Sequence, residues 1–180
     1  MMTKTPSPLV RGALMLAALA APAAATAQTS SCLTPREGEA VLLYLAPDLL
    51  AQATRTCAPV LGASAYLRRN PDLGRRYIDA SADAWPTARA GIAKVAGPDV
   101  APLLDSAFAA PAVSSLVAPL VAQEIKAADC PQIDRILSLV APLPPQNIAG
   151  IAVAFLQLAN DRDRKAGRRS PLPICVNGAR

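Results

Sequence analysis

Proline is the residue that most restricts how this chain can fold. Eighteen of its 180 residues are prolines, and they interrupt segments rich in Ala and Leu whose apolar residues recur at helical spacing. A proline in a helix interior costs about 3 kcal/mol, so we expect most of them at helix starts, kinks or turns. No segment alternates apolar and polar residues as a half-buried strand does. The sequence therefore predicts an all-α protein of roughly six to nine short, proline-punctuated helices.

Several helix starts carry recognisable capping residues. Thr34-Pro35-Arg36-Glu37 is an S/T-x-x-E capping box with proline at the first helical position. Asn70-Pro71-Asp72 predicts a second start, for a segment that runs to about Ala84. Asp129 and Asn147 are further N-cap candidates, each before a run with helical periodicity.

Residues 1–27 are typical of a cleaved secretory signal peptide. Two basic residues precede a short apolar run over residues 13–25, and Ala25-Thr26-Ala27 is an A-x-A cleavage site. The run is shorter than the roughly 20 residues that a membrane span needs. We expect residues 28–180 to form a single exported domain, periplasmic or secreted, with a basic C-terminal tail from about residue 161 and no stable transmembrane segment after cleavage.

Four cysteines follow the signal segment: Cys32, Cys57, Cys130 and Cys175. An even number in an exported chain predicts two disulfides that staple the domain. The chain has no histidine and no C-x-x-C spacing, which argues against a zinc site, a thioredoxin-type redox motif or a haem attachment. We expect neither a metal nor a cofactor.

The pairing of the cysteines depends on Pro47. If the chain reverses there, the two ends of the stretch 32–57 meet, which favours Cys32–Cys57 together with Cys130–Cys175. If one helix runs through Pro47, its ends lie about 34 Å apart, far beyond the reach of a disulfide. Cys57 must then pair with Cys130 or Cys175. Apolar residues keep helical phase across Pro47, so this alternative stays open.

Carboxylate pairs are the remaining candidates for catalysis, because the usual nucleophile–histidine arrangements need an imidazole. The pairs are Asp79 with Asp83, Glu37 with Glu39, and Asp161 with Asp163. A glycan hydrolase needs a buried acid with a raised pKa. Asp79 and Asp83 instead lie near Arg75 and Arg76, which indicates a solvated helix face with ion pairs. We expect a non-enzymatic protein and keep a carboxylate-dependent glycan hydrolase as an alternative.

Basic residues concentrate in segments 67–77 and 160–171. They are Arg68, Arg69, Arg75, Arg76, Arg162, Arg164, Lys165, Arg168 and Arg169. Guanidinium groups bind phosphates and carboxylates well, so a second functional alternative is binding of an anionic lipid or polysaccharide. A solubilising surface would explain the same residues. The scattered charges and only six aromatic residues argue against a nucleic-acid surface.

Two uncharged segments, Ser106–Gln123 and Ile148–Leu158, predict either a dry core or the walls of an apolar groove. Prolines and serines inside the first favour a buried central helix over a membrane span. In the second, Ile148, Ile151, Phe155 and Leu158 lie on one side. The composition and the signal segment are typical of exported proteins of Gram-negative bacteria. We expect a structural or binding role in the bacterial envelope, with an envelope protein or an anionic ligand as the partner.

Overall fold

The computed structural model describes residues 32–168, 170 and 172–175, so the predicted signal segment 1–27 and Arg169 lie outside the described residues. The described chain forms six α-helices joined by loops and 3-10 turns. They are α1 (Pro35–Cys57), α2 (Tyr66–Arg69), α3 (Ile78–Ala96), α4 (Ala109–Gln123), α5 (Cys130–Val140) and α6 (Pro145–Lys165). The described residues form no strand, and an isolated parallel bridge joins Leu33 to Ile174. The prediction of an all-α fold is confirmed.

The helices are fewer and longer than the prolines suggested. Because α2 is a single turn, the number of longer helices in the described residues is slightly below the predicted six to nine. Helices α1, α3 and α6 have 23, 19 and 21 residues. Pro47, Pro86 and Pro119 lie inside α1, α3 and α4. These helices continue through proline because packing of a helix face, more than local propensity, stabilises helices in proteins.

The predicted start of α1 is confirmed. The Thr34 hydroxyl accepts a hydrogen bond from the Glu37 N–H (3.2 Å), and the Glu37 carboxylate accepts one from the Thr34 N–H (2.7 Å). This reciprocal pair satisfies two of the donors that a helix start leaves free.

The other predicted boundaries are less accurate. After Asn70-Pro71-Asp72 the chain forms a 3-10 turn, and α3 then runs well past Ala84 to its end at Ala96. The Asp129 carboxylate bonds the N–H of Lys126 (3.4 Å) and does not cap α5. Helix α6 begins at Pro145, before Asn147.

Helix α1 is the axis of the molecule, and α3, α4 and α6 pack around it. The main core lies along these contacts and includes Leu33, Val41, Tyr44, Leu45, Ala88 and Val153. The ring of Tyr44 lies 4.6 Å from the ring of Trp85 on α3, centroid to centroid. The Tyr44 hydroxyl donates a hydrogen bond to the Ala110 carbonyl on α4. Tyr44 thus fixes two helices against α1.

A second, smaller core joins the end of α1 to α2 and α5. Its buried residues are Cys57, Leu67, Leu73 and Cys130. The Asp134 carboxylate on α5 accepts hydrogen bonds from the N–H groups of Tyr66 (3.1 Å) and Leu67 (2.7 Å). A side chain of α5 therefore caps the short helix α2, whose own sequence supplies no capping side chain.

The favoured cysteine pairing is wrong. Disulfides join Cys32 to Cys175 and Cys57 to Cys130, with Cα–Cα distances of 5.2 Å in both. The chain does not reverse at Pro47, because α1 is one helix from Pro35 to Cys57. A helix of that length holds its ends about 34 Å apart, so each end must be bridged to the C-terminal half.

The expected central position of the segment Ser106–Gln123 is also wrong. Helix α4 lies on the outside of α1 and exposes large apolar side chains. In the described part of the chain, no helix combines the length and apolarity needed to cross a bilayer.

Candidate functional site

The first arginine segment is used mainly within the molecule. The Arg76 guanidinium donates hydrogen bonds to the carbonyls of Ala141 (2.6 Å) and Leu143 (3.1 Å). It also lies 5.6 Å from the centre of the Tyr77 ring. Arg76 therefore fastens the end of α5 and the segment after it to the turn before α3, and one of its donors satisfies the free carbonyl of Ala141 at the helix end.

The neighbouring arginines have weaker contacts. Arg68 donates to the Leu61 carbonyl (3.2 Å), and Arg75 lies 3.7 Å from Asp72. The side chain of Arg69 has no hydrogen bond or ion pair among the described residues, although its backbone N–H donates to the Ala65 carbonyl (3.2 Å). Arg69 and Arg76 line a cleft of about 390 Å³, and Asp72 is also one of its lining residues. With one guanidinium engaged and one carboxylate in the wall, the cleft is a weak anion site.

The second basic segment is largely neutralised by its own acids. Asp161 pairs with Arg164 (2.5 Å) and Lys165 (2.8 Å), and Asp163 pairs with Arg168 (2.7 Å). The hydrogen bond from Lys165 is the main reason that the pKa of Asp161 lies below its ordinary value. Arg162 is exposed and has no carboxylate within 4 Å among the described residues.

The carboxylate pairs do not form an acid–base site. Burial raises the pKa of Glu37, but hydrogen bonds from Lys94 and Thr34 outweigh it, and the net pKa lies below the ordinary value of 4.5. A general acid requires the opposite shift. Asp79 and Asp83 are exposed on α3. Within the described residues, no group of His, Cys, Asp and Glu is arranged to hold a metal ion.

One open groove of about 220 Å³ lies between α1 and α3. Arg36, Glu39 and Asp83 are among its lining residues, together with Thr87 and the start of α6. The two carboxylates share this groove with a guanidinium, and neither is fully buried. The groove therefore lacks the desolvated acid on which glycan hydrolysis depends.

The outward surface of α6 is apolar. Ile151, Phe155 and Leu158 are 43, 68 and 59% exposed. Their spacing of four and three residues places them on one side, as the sequence predicted, whereas Ile148, the fourth residue of the predicted side, is half-buried. We call these three residues the outer face of α6. Ala149 and Val153, on the opposite side, are buried.

Small residues explain why the larger side chains point outward. A Cβ atom added at Gly38 of α1 would lie 3.3 Å from the Val153 side chain and 2.8 Å from that of Ile174. Helix α6 therefore approaches α1 closely, and its inward side accommodates Ala149 and Val153. The spacing of the small residues in the sequence indicates the inward side of α6. The stripe of large apolar residues is the more prominent pattern, although it lies on the outward side.

Helix α4 shows the same arrangement. Ala109 and Ala118 are buried, whereas Leu116 and Leu120 are 67 and 62% exposed. We call Leu116 and Leu120 the outer face of α4. The helix carries no charged residue. Other large apolar side chains on the surface are Val60, Ile78, Leu103, Phe108, Val121, Ile136 and Leu139.

Comparison with known proteins assigns no family to this fold. No family model, no curated protein and no solved structure matches the chain. The candidate site therefore rests on the chemistry of the outer faces of α4 and α6.

Proposed function

We propose that this protein is an exported, non-enzymatic binding component of the bacterial envelope, and that the outer faces of α4 and α6 are its docking surfaces. One observation carries the proposal: each of these helices exposes two or three large apolar side chains on one side, Leu116 and Leu120 on α4 and Ile151, Phe155 and Leu158 on α6. A surface helix of a soluble protein normally places charged and polar residues towards water. Exposed apolar patches in folded proteins are typical of interaction sites.

The energetic reason is the cost of leaving these side chains in water. Burial of a Leu, Ile or Phe side chain contributes about 1.5–3 kcal/mol. A few such residues supply most of the binding energy at protein interfaces. The outer faces contain five: Leu116, Leu120, Ile151, Phe155 and Leu158.

The two disulfides support the export part of the proposal. One joins Cys32, three residues before the start of α1, to Cys175, and the other joins Cys57, the last residue of α1, to Cys130, across 143 and 73 residues of sequence. Such bridges persist in oxidising compartments and are rare in reducing ones. A periplasmic or extracellular location would keep both bridges intact.

Photo-crosslinking tests the docking role. A benzoylphenylalanine replaces Leu116 or Phe155 in separate variants expressed in the native host, and a third variant carries it at the exposed position Thr56 as the control. We expect adducts at Leu116 or Phe155 that are absent at Thr56. Mass spectrometry assigns each adduct to a protein, a lipid or a second copy of the chain. Equal or absent adducts at all three positions would contradict the proposal.

A further inference from the structure

The outer faces of α4 and α6 differ in charge. On α6, Arg162 follows Leu158 by four residues, so it lies on the same side as the apolar stripe. On α4, Gln123 and Glu124 follow Leu120 by three and four residues, so this stripe ends without a cation. Residues 145–160 of α6 contain no charged side chain. The outer face of α6 is therefore an apolar stripe with a cation at its C-terminal end.

The positive charge on this face is not cancelled by its neighbours. Asp161 and Asp163 belong to the same turn as Arg162, but they pair with Arg164, Lys165 and Arg168. Their positions in the helix place both carboxylates away from the side that carries the apolar stripe. Arg162 has no carboxylate within 4 Å in the described part of the chain. The uncompensated charge at the end of the stripe is thus positive.

An anionic lipid surface matches this combination. Interfacial helices place Phe and Leu side chains at the boundary between headgroups and acyl chains. Arginine lays its aliphatic stem along apolar surface while its guanidinium reaches lipid phosphates, to which it bonds in a bidentate manner. The predicted exported chain, residues 28–180, has 16 basic and 13 acidic residues. Its net charge of +3 is also attracted to anionic lipid.

We propose that the outer face of α6 binds the surface of an anionic lipid bilayer, with Phe155 and Leu158 entering the boundary region and Arg162 on a lipid phosphate. The proposal rests on the docking role above and names the occupant of one of its two faces. A second copy of the chain fits less well, because the stripe carries no carboxylate to pair with the Arg162 of another copy. The clefts described above are lined by other residues.

Vesicle flotation tests the proposal. The protein used is the disulfide-bonded chain that starts at Gln28. This chain contains every described residue, and it lacks the apolar run 13–25, which would itself enter a bilayer. Vesicles of phosphatidylglycerol and phosphatidylcholine are compared with vesicles of phosphatidylcholine alone. We expect binding to the anionic vesicles that weakens as salt is raised, because salt screens the guanidinium–phosphate attraction.

Matched variants test whether vesicle binding depends on the outer face of α6 or on exposed apolar side chains in general. Phe155→Ser with Leu158→Ser should weaken binding to anionic vesicles at least about tenfold. Leu103→Ser with Leu139→Ser removes two side chains of similar exposure that lie outside both outer faces and should leave binding to anionic vesicles unchanged. Arg162→Gln should weaken binding about fivefold and reduce the salt dependence. Arg135→Gln, at another exposed position, is the charge control and should have little effect.

The outcomes distinguish this proposal from the docking role. Absence of vesicle binding, equal binding to neutral vesicles, or equal loss in the variant Leu103→Ser with Leu139→Ser would overturn the lipid proposal. A protein adduct at Phe155 without vesicle binding would retain the docking role and reject the lipid. A concentration-dependent dimer that Phe155→Ser with Leu158→Ser dissociates, without vesicle binding, would assign the stripe to self-association. Neither adducts nor vesicle binding would reject both proposals.

Discussion

At the scale of single residues, Glu37 connects the start of α1 to α3. Its carboxylate accepts a hydrogen bond from the N–H of Thr34 and another from the Lys94 ammonium (2.6 Å). The side chains of Lys94 and Glu37 are 26 and 16% exposed, so this ion pair is more shielded from water than the surface pairs of α6. Partly buried, hydrogen-bonded pairs contribute more to stability than exposed ones.

Glu37→Gln should reduce the free energy of unfolding by about 1–2 kcal/mol at pH 7, because the negative charge that strengthens the hydrogen bonds from Lys94 and Thr34 is lost. The pKa of Glu37 is lowered in the folded state, so its contribution is complete above the ordinary carboxyl pKa. This contribution disappears as pH falls through the folded pKa. Urea denaturation at pH 7 and pH 3 should therefore show a difference from wild type that shrinks at pH 3.

Glu39→Gln is the control for this measurement, since Glu39 lies two residues away on the same helix and has no ion pair among the described residues. It should change stability by less than about 0.5 kcal/mol at either pH. An equal loss in the two variants would mean that the pair with Lys94 does not stabilise α1.

At the scale of helices, the orientation of α6 decides which apolar residues are structural. Val153 is 2% exposed and belongs to the main core, whereas Leu158, in the same helix, is 59% exposed. The periodicity of the sequence identified Ile151, Phe155 and Leu158 as one side of a helix but could not say which side faces α1. That choice depends on how closely α6 can approach α1. The close approach requires Gly38, which lies on α1, so the sequence of α6 by itself does not contain the information.

Val153→Ala should therefore destabilise the protein by about 1–2 kcal/mol, because it leaves a small cavity in the core. Leu158→Ala removes a larger side chain and should change stability by less than about 0.5 kcal/mol. Thermal or urea unfolding of the two variants checks the expectation. The reverse order would place Leu158 in the core and remove the basis for the outer face of α6.

At the scale of the whole molecule, the disulfides join segments far apart in sequence. Cys57 and Cys130 are 0% exposed, while Cys32 and Cys175 are partly exposed. In the loop-entropy account each bridge contributes about 4–5 kcal/mol, a large share of the stability of one domain. The bridge to Cys175 also lies beside the backbone pairing of Leu33 with Ile174.

Mild reduction should cleave Cys32–Cys175 before Cys57–Cys130, because thiolate attack requires access to a sulfur atom. Timed alkylation followed by peptide mass spectrometry measures the order. Peptides that link Cys57 to Cys130 should persist after those that link Cys32 to Cys175 have gone. Recovery of a Cys32–Cys57 peptide from unreduced protein would contradict the fold itself.

The sequence alone determined what depends on neighbouring residues: the helical class, the capping box at Thr34, and the one-sided spacing of Ile151, Phe155 and Leu158. These features follow from backbone hydrogen bonding and helical periodicity within a few turns. The cysteine pairing and the outward direction of the apolar stripes were decided only by the tertiary structure. Both depend on α1 continuing through Pro47 and on close contact between helices distant in the chain, where packing outweighs local preference.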